Sequence, residues 1–256
     1  MDQPALFNRY LQLLKEFVAL RSISTDPSYI KDIEKTAQWL GNLLTQYGFT
    51  VKITKGAGNP IVCAQYNNGS QQHVLIYGHY DVQPAEINEG WTHDPFELKE
   101  KNGRLYGRGA VDNKGQIMIY IATVIELIQQ KSLGYNVTFL IEGNEEAGSS
   151  GLDTFVETHK EKLLADFLLV SDGEITAGHP VIEVGFRGVL NIALTVETST
   201  KDNHSGLYGG IIPNAANELS ILLGKLFDQS SGEQRVTIEG FYDNITPPTP
   251  RRHNNN

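Results

Sequence analysis

Three apolar runs, each followed at once by histidine or acidic side chains, decide the fold of this chain: HVLIYGHYD (73–81), NVTFLIEGNEE (136–146) and DFLLVSD (166–172). The centre of each run is continuously apolar, which predicts strands that are covered on both faces. Helical patterns before and between the runs would supply that cover. The sequence therefore predicts an α/β fold in which a sheet is flanked by helices.

The pattern changes after about Arg187, which divides the chain into a long first part and a short second part. In the second part, VLNIALTVE (189–197) predicts a half-exposed strand, and a helix from about 213 to 227 and a strand near 236–239 follow. This resembles the beginning of an α+β unit. We predict three segments, with these bounds: a large first domain over 1–186, an incomplete second domain over 187–250 and an unstructured tail over 251–256.

Composition and charge exclude several classes of protein. Of the 256 residues, Cys63 is the only cysteine, which excludes an intramolecular disulfide and a zinc site built from several thiolates. The net charge of −9 argues against nucleic acid as a partner. The N-terminus lacks the basic and apolar regions of a signal peptide, and the stretch 117–128 is too short to span a membrane. We therefore expect a cytoplasmic protein with neither nucleic acid nor membrane as a partner.

Metal-competent side chains follow each of the three predicted strands and precede one predicted helix. In chain order they are His79, Asp112, Glu145, Glu146 and Asp172. Taken singly, each is more commonly a helix cap, a loop charge or a surface residue. Because ligands bind at the carboxyl ends of strands in α/β sheets, the combination favours a metal site at that edge.

The residue types indicate which chemistry such a site would support. Histidine with carboxylates suits Zn²⁺, or Mn²⁺ and Co²⁺ where oxygen ligands dominate. A metal lowers the pKa of a bound water to about 7, and a free carboxylate nearby can take up the proton. Asp81 lies two residues after His79, so it is well placed to fix the tautomer of the imidazole. His204 is open to two interpretations: an ordinary loop histidine, or a residue of a shaped Gly-rich loop.

Five motifs, in this order, resemble those of the di-zinc peptidase family of carnosinase, cytosolic non-specific dipeptidase, aminoacylase and succinyl-diaminopimelate desuccinylase. They are GHYDVQP (78–84), GRGAVDNKGQ (107–116), EGNEEAGSSG (142–151), SDGE (171–174) and NHSGLYGG (203–210). The sequence of the first motif is most similar to that of the dipeptidase branch. The resemblance implies a mixed sheet flanked by helices, with an inserted α+β lid that mediates dimerisation.

The resemblance also implies a role for each candidate residue around two divalent ions, with Zn²⁺ expected and Mn²⁺ or Co²⁺ as alternatives. His79 and Asp172 would each ligate one side of the metal pair, Asp112 would bridge both ions, and Glu146 would be a further ligand. Glu145 would be the general base and Asp81 would orient His79. His204, in the lid, would stabilise the oxyanion in the active site of the partner subunit of a homodimer.

One departure from the family pattern concerns the end of the chain. Members of the family continue beyond the lid and supply a last histidine ligand, whereas His253 lies in a tail that matches no family motif, so we assign it no role. We therefore expect a C-terminally truncated member. The expected activity is hydrolysis of the amide bond of a dipeptide or short peptide by a metal-bridging hydroxide. The alternatives are deacylation of an N-acyl amino acid at the same site, or an inactive metal-binding fragment.

Overall fold

The computed structural model describes residues 3–55, 58–173, 175, 178–179, 181–183, 188–230, 232 and 234–246, and the predicted tail over 251–256 lies outside them. The chain divides into two units, Met1–Glu183 and Val184–Asn256. None of the described helices combines the length and apolar character that a membrane crossing requires.

Among its described residues, the first unit has four α-helices and seven strands. The helices are α1 (Gln3–Val18), α2 (Ile30–Gln46), α3 (Lys114–Gln129) and α4 (Leu152–Leu163). The strands are β1 (Thr50–Thr54), β2 (Ile61–Tyr66), β3 (His73–His79), β4 (Lys99–Lys101), β5 (Arg104–Tyr106), β6 (Asn136–Glu142) and β7 (Phe167–Val170). Helix α2 ends before Gly48, whose φ of +88° is the left-handed conformation that glycine adopts at low cost.

Five of these strands form one mixed sheet in the order β1-β2-β6-β3-β7. The pairs β1–β2 and β2–β6 are antiparallel, whereas β3 runs parallel to both β6 and β7. The predicted α/β fold with a mixed sheet is therefore confirmed. Because β6, β3 and β7 are parallel neighbours, their carboxyl ends lie at the same edge of the sheet.

The side chains of the sheet alternate between two apolar layers. On one face, Val62, Ile76 and Phe139 pack with residues of α1, α2 and α3 in the main core. On the other face, Ile61 and Leu140 pack against Phe155 and Leu163 of α4. Helices thus cover both faces of the strands at the centre of the sheet, and this fixes the positions of their carboxyl ends.

Strand β7 is where the prediction of burial on both faces is wrong. Its four residues are all exposed, from 39% for Leu169 to 62% for Leu168. The strand lies at the end of the sheet and pairs only with β3 among the described residues. An apolar run shows that a strand prefers burial, but it does not show that another element covers it.

The described residues of the second unit form two helices, α5 (Ser205–Tyr208) and α6 (Ala215–Lys225), and two short strands, β8 (Phe227–Asp228) and β9 (Arg235–Val236). Asn214 caps α6 by accepting hydrogen bonds from the N–H groups of Ala216 and Asn217. The helix predicted from 213 to 227 is thus present, but the strand predicted over 189–197 is wrong, because its described residues form no strand pairing. The strand predicted near 236–239 is reduced to the pair β8–β9, which spans two residues on each side.

Candidate metal centre

Three candidate ligands converge at the carboxyl edge of the sheet. His79 is the last residue of β3, Asp112 precedes α3, and Asp172 follows β7. One ligand atom from each of these residues lies within 4.8 Å of the other two. These residues are far apart in sequence. They meet here because the ends of two parallel strands and the start of one helix lie at the same edge of the sheet.

The imidazole of His79 is the centre of this group. It is fully buried, and its Nε2 lies 3.0 Å from Asp112 Oδ1, 3.6 Å from Asp172 Oδ2 and 3.9 Å from Glu145 Oε2. None of these carboxylates, nor any other described group, meets Nε2 with hydrogen-bond geometry. A buried nitrogen with no hydrogen-bond partner, facing three carboxylates, suits a divalent cation better than it suits a neutral structural contact.

The opposite nitrogen of the same ring is held by Asp81. Nδ1 lies 3.1 Å from the carbonyl oxygen of Asp81 and 3.3 Å from its Oδ1. A proton on Nδ1 would be donated to these oxygens, which leaves Nε2 free to bind a metal. The sequence spacing of two residues predicted this contact.

The carboxylate of Asp81 also organises the turn that follows β6. Its two oxygens accept hydrogen bonds from the N–H groups of Glu145 (3.2 Å) and Glu146 (3.1 Å), at the start of the 3₁₀ turn Glu145–Ala147. Asp81 itself is fully buried. One buried carboxylate therefore fixes both the His79 ring and the backbone of the two adjacent glutamates.

The two glutamates have different surroundings. Glu145 lies on the same side as His79 Nε2, and burial raises the pKa of its carboxyl, with His79 opposing that effect. Glu146 is not in the cluster of three ligands; its Oε2 accepts a hydrogen bond of 2.9 Å from Gln83 Nε2. The structure thus places Glu145 closer to His79 Nε2, whereas the carboxylate of Glu146 is held by its hydrogen bond with Gln83.

The carboxylates and the imidazole of the cluster shift each other's pKa values. Burial opposes protonation of His79, but Asp112, Asp172 and Asp81 outweigh burial and raise the pKa of the imidazole to about 12. The nearby imidazole lowers the pKa of Asp172 against the effect of its burial. A proton on His79 therefore offsets the negative charge that a divalent cation would neutralise when bound.

Two hydrogen-bonded groups beside the cluster were not singled out from the sequence. Asn113 contacts both the His79 and the Asp172 segments, and it follows Asp112 through a cis peptide bond. Glu142, at the end of β6, accepts hydrogen bonds from Tyr77 (2.6 Å) and Ser149 (2.9 Å). Both lie inside quoted motifs, but neither spacing nor residue type indicated which partners they would contact.

His204 belongs to the second unit. It precedes α5 as its N-terminal cap, and its Nδ1 accepts a hydrogen bond of 3.1 Å from the N–H of Gly206. The shaped-loop interpretation of its motif is consistent with this local geometry. Its predicted contribution to an active site remains a prediction.

Comparison with known proteins shows which peptidases this chain is similar to. The model of peptidase family M20/M25/M40 matches residues 75–254. Human Beta-Ala-His dipeptidase is 34% identical over an alignment of 265 positions, which covers 96% of this chain and 52% of that protein. The Cys-Gly metallodipeptidase dug1 of Schizosaccharomyces pombe is 38% identical over 198 residues, covering 75% of this chain and 41% of the relative.

A solved structure supports the same relationship. The M20 family metallo-carboxypeptidase Sso-CP2 of Sulfolobus solfataricus superposes with a TM-score of 0.78 and 32% identity, covering 98% of this chain and 55% of that one. The chain thus spans about half the length of the proteins it matches. On the family model and on this identity over nearly its whole length, the chain belongs to peptidase family M20/M25/M40.

Proposed function

We propose that this chain carries the metal centre of a dipeptidase and that the centre serves to hydrolyse the amide bond of a dipeptide or short peptide. One observation carries the proposal: the buried Nε2 of His79, without a hydrogen-bond partner, faces three carboxylates at the carboxyl edge of the sheet. The relatives named Beta-Ala-His dipeptidase and Cys-Gly metallodipeptidase support a dipeptide as the substrate.

His79, Asp112 and Asp172 are the proposed ligands, with Glu146 as a further one. The side chain of Asp112 is 63% exposed, which leaves it open to a second ion and supports the proposal that it bridges two. Histidine with carboxylates suits Zn²⁺, and Mn²⁺ or Co²⁺ are the alternatives. Bound divalent ions would polarise the scissile carbonyl and make an attacking water more acidic.

Glu145 is the proposed general base. It would take a proton from the attacking water and deliver it to the leaving amine, and a carboxyl with a raised pKa is suited to both transfers. Asp81 is the proposed positioning residue, since it contacts His79 and the backbone of Glu145.

The second unit is the proposed beginning of a lid through which two copies dimerise, with His204 stabilising the oxyanion in the active site of the partner subunit. This proposal rests on the family to which the chain belongs. A cytoplasmic location likewise remains a prediction from the sequence.

The test compares two substrate classes on the same preparation. The chain is assayed with Zn²⁺, Mn²⁺ or Co²⁺ on β-alanyl-histidine and Cys-Gly, and on N-acetyl amino acids. We expect turnover of the dipeptides that a chelator abolishes and that added metal restores. Preferred turnover of N-acetyl amino acids would identify a deacylase, and metal binding without turnover of either class would identify an inactive metal-binding chain.

A further inference from the structure

The side chain of Asn113 links the two strand ends that carry candidate ligands. Its Oδ1 accepts a hydrogen bond of 3.3 Å from the N–H of His79. Its Nδ2 donates to the carbonyl oxygen of Ser171 (2.6 Å) and to Asp172 Oδ1 (2.9 Å). Asn113 is only 1% exposed, so the hydrogen-bond partners of this amide are protein groups and not solvent.

These contacts distinguish the two oxygens of Asp172. Oδ1 is engaged by Asn113, whereas Oδ2 points toward His79 Nε2 at 3.6 Å. The orientation of the amide is fixed by its other end, because only the oxygen of Asn113 can accept the His79 N–H. The donor end must then face the Ser171–Asp172 segment.

Gly78 makes this arrangement possible. A Cβ atom at position 78 would lie 2.6 Å from Asn113 Oδ1 and 3.0 Å from Ile117 Cδ1. Any other residue there would push the amide away from the His79 backbone. The glycine before the candidate ligand is therefore explained by the close approach of Asn113 rather than by a turn.

Gln116, one turn further along α3, holds the same loop in a different way. Its Nε2 donates to the carbonyl oxygen of Gly173 (2.9 Å), and its Oε1 accepts from the Ser171 hydroxyl (2.8 Å). It holds the loop backbone and a serine, whereas Asn113 holds the Asp172 carboxylate itself. The chain thus offers a matched control for the effect of loosening the loop.

We propose that Asn113 is a positioning residue that holds Asp172 so that a single oxygen, Oδ2, is presented to the metal. This inference rests on the metal centre proposed above. Partners in the outer coordination shell generally orient carboxylate ligands, and their loss costs about 10–100-fold in metal affinity.

The experiment uses Co²⁺ as the probe, because its visible absorption reports coordination geometry as well as binding. Wild type is compared with Asn113→Ala, Asn113→Leu, Gln116→Ala and His79→Ala, by chelator competition and by spectra at saturating Co²⁺. Urea unfolding is measured for each variant without metal. We expect both Asn113 variants to unfold cooperatively, to bind Co²⁺ about 10–100-fold more weakly and to shift its spectrum. Gln116→Ala should keep the wild-type spectrum.

The other outcomes overturn either the positioning role of Asn113 or the metal centre itself. Wild-type affinity and spectrum in a folded Asn113 variant would overturn the positioning role while leaving the metal centre intact. So would loss of cooperative unfolding in both variants, or an equal spectral shift in Gln116→Ala, because either would show a purely structural role. Absence of Co²⁺ binding by wild type, or unchanged binding by His79→Ala, would instead overturn the proposed metal centre.

Discussion

At the scale of single residues, Asp81 does more than the sequence spacing suggested. It contacts His79 Nδ1 and accepts two backbone N–H groups from the turn that carries the glutamates. Asparagine at this position would keep the shape but place an NH₂ group or a neutral oxygen where the carboxylate now lies. The loss should therefore affect the His79 ring and the glutamate turn together.

We predict that Asp81→Asn lowers metal affinity about 10–100-fold, as loss of an outer-shell partner does. Isothermal titration with Zn²⁺ measures the effect. Asp153→Asn, in the exposed first turn of α4, is the matched control and should bind like wild type. Unchanged affinity in Asp81→Asn would show that the imidazole is oriented without Asp81.

Glu145 and Glu146 provide a second prediction at this scale. Glu145→Gln should retain the metal and lose about 10²–10⁴-fold in dipeptide turnover, because proton transfer contributes that much to such reactions. Glu146→Gln should bind metal more weakly than wild type, and it should retain turnover when metal is saturating. Metal content and turnover measured on the same samples separate the two roles. Full activity of metal-loaded Glu145→Gln would place the general base elsewhere.

At the scale of elements, the start of α3 is anchored by a buried lysine. Lys114 Nζ donates to the carbonyl oxygens of Phe17 (3.0 Å) and Leu20 (2.6 Å), at the end of α1 and just beyond it. Burial lowers the pKa of Lys114 to about 7, with Asp81 opposing the shift. The unfolded chain therefore binds more protons at this site than the folded chain between about pH 7 and the ordinary lysine value of about 10.4.

We predict that Lys114→Met lowers the free energy of unfolding by about 1–3 kcal/mol, because two buried carbonyl groups lose their donors. The loss should increase as the pH rises from 7 to 9.5, since the contribution of Lys114 to wild-type stability rises with pH in that range. Urea denaturation at several pH values measures both effects. Lys31→Met, on the exposed side of α2, is the control, and an equal pH dependence in wild type and Lys114→Met would contradict the prediction.

The elements also show what could be predicted from the sequence. The apolar runs predicted the positions of β3, β6 and β7. Parallel pairing of β3 with β7 brings His79 and Asp172 to one edge of the sheet, and Asp112 joins them from the start of α3. The burial of β7 could not be predicted, because hydrophobicity does not specify a covering element. The role of Asn113 was also missed, because it depends on the space above Gly78, which only the packed structure shows.

At the scale of the whole molecule, β7 presents an exposed apolar edge. Such edges pair with other chains unless charges or covering elements prevent it. We predict that the chain self-associates in a concentration-dependent way and that Leu168→Lys reduces this association. Analytical ultracentrifugation measures it, with Leu164→Lys as the control, because Leu164 is also exposed but lies outside the strand. Equal association of both variants would show that contacts occur elsewhere.

The central claim is that His79 is a metal ligand within a cluster of carboxylates, and metal binding tests it most directly. Wild type should bind at least one Zn²⁺ per chain. His79→Ala should bind more than about 100-fold more weakly, exceeding the loss that outer-shell partners cause. His159→Ala, a histidine stacked on Phe155 of α4, should bind like wild type. Equal Zn²⁺ stoichiometry and affinity in wild type and His79→Ala would contradict the account.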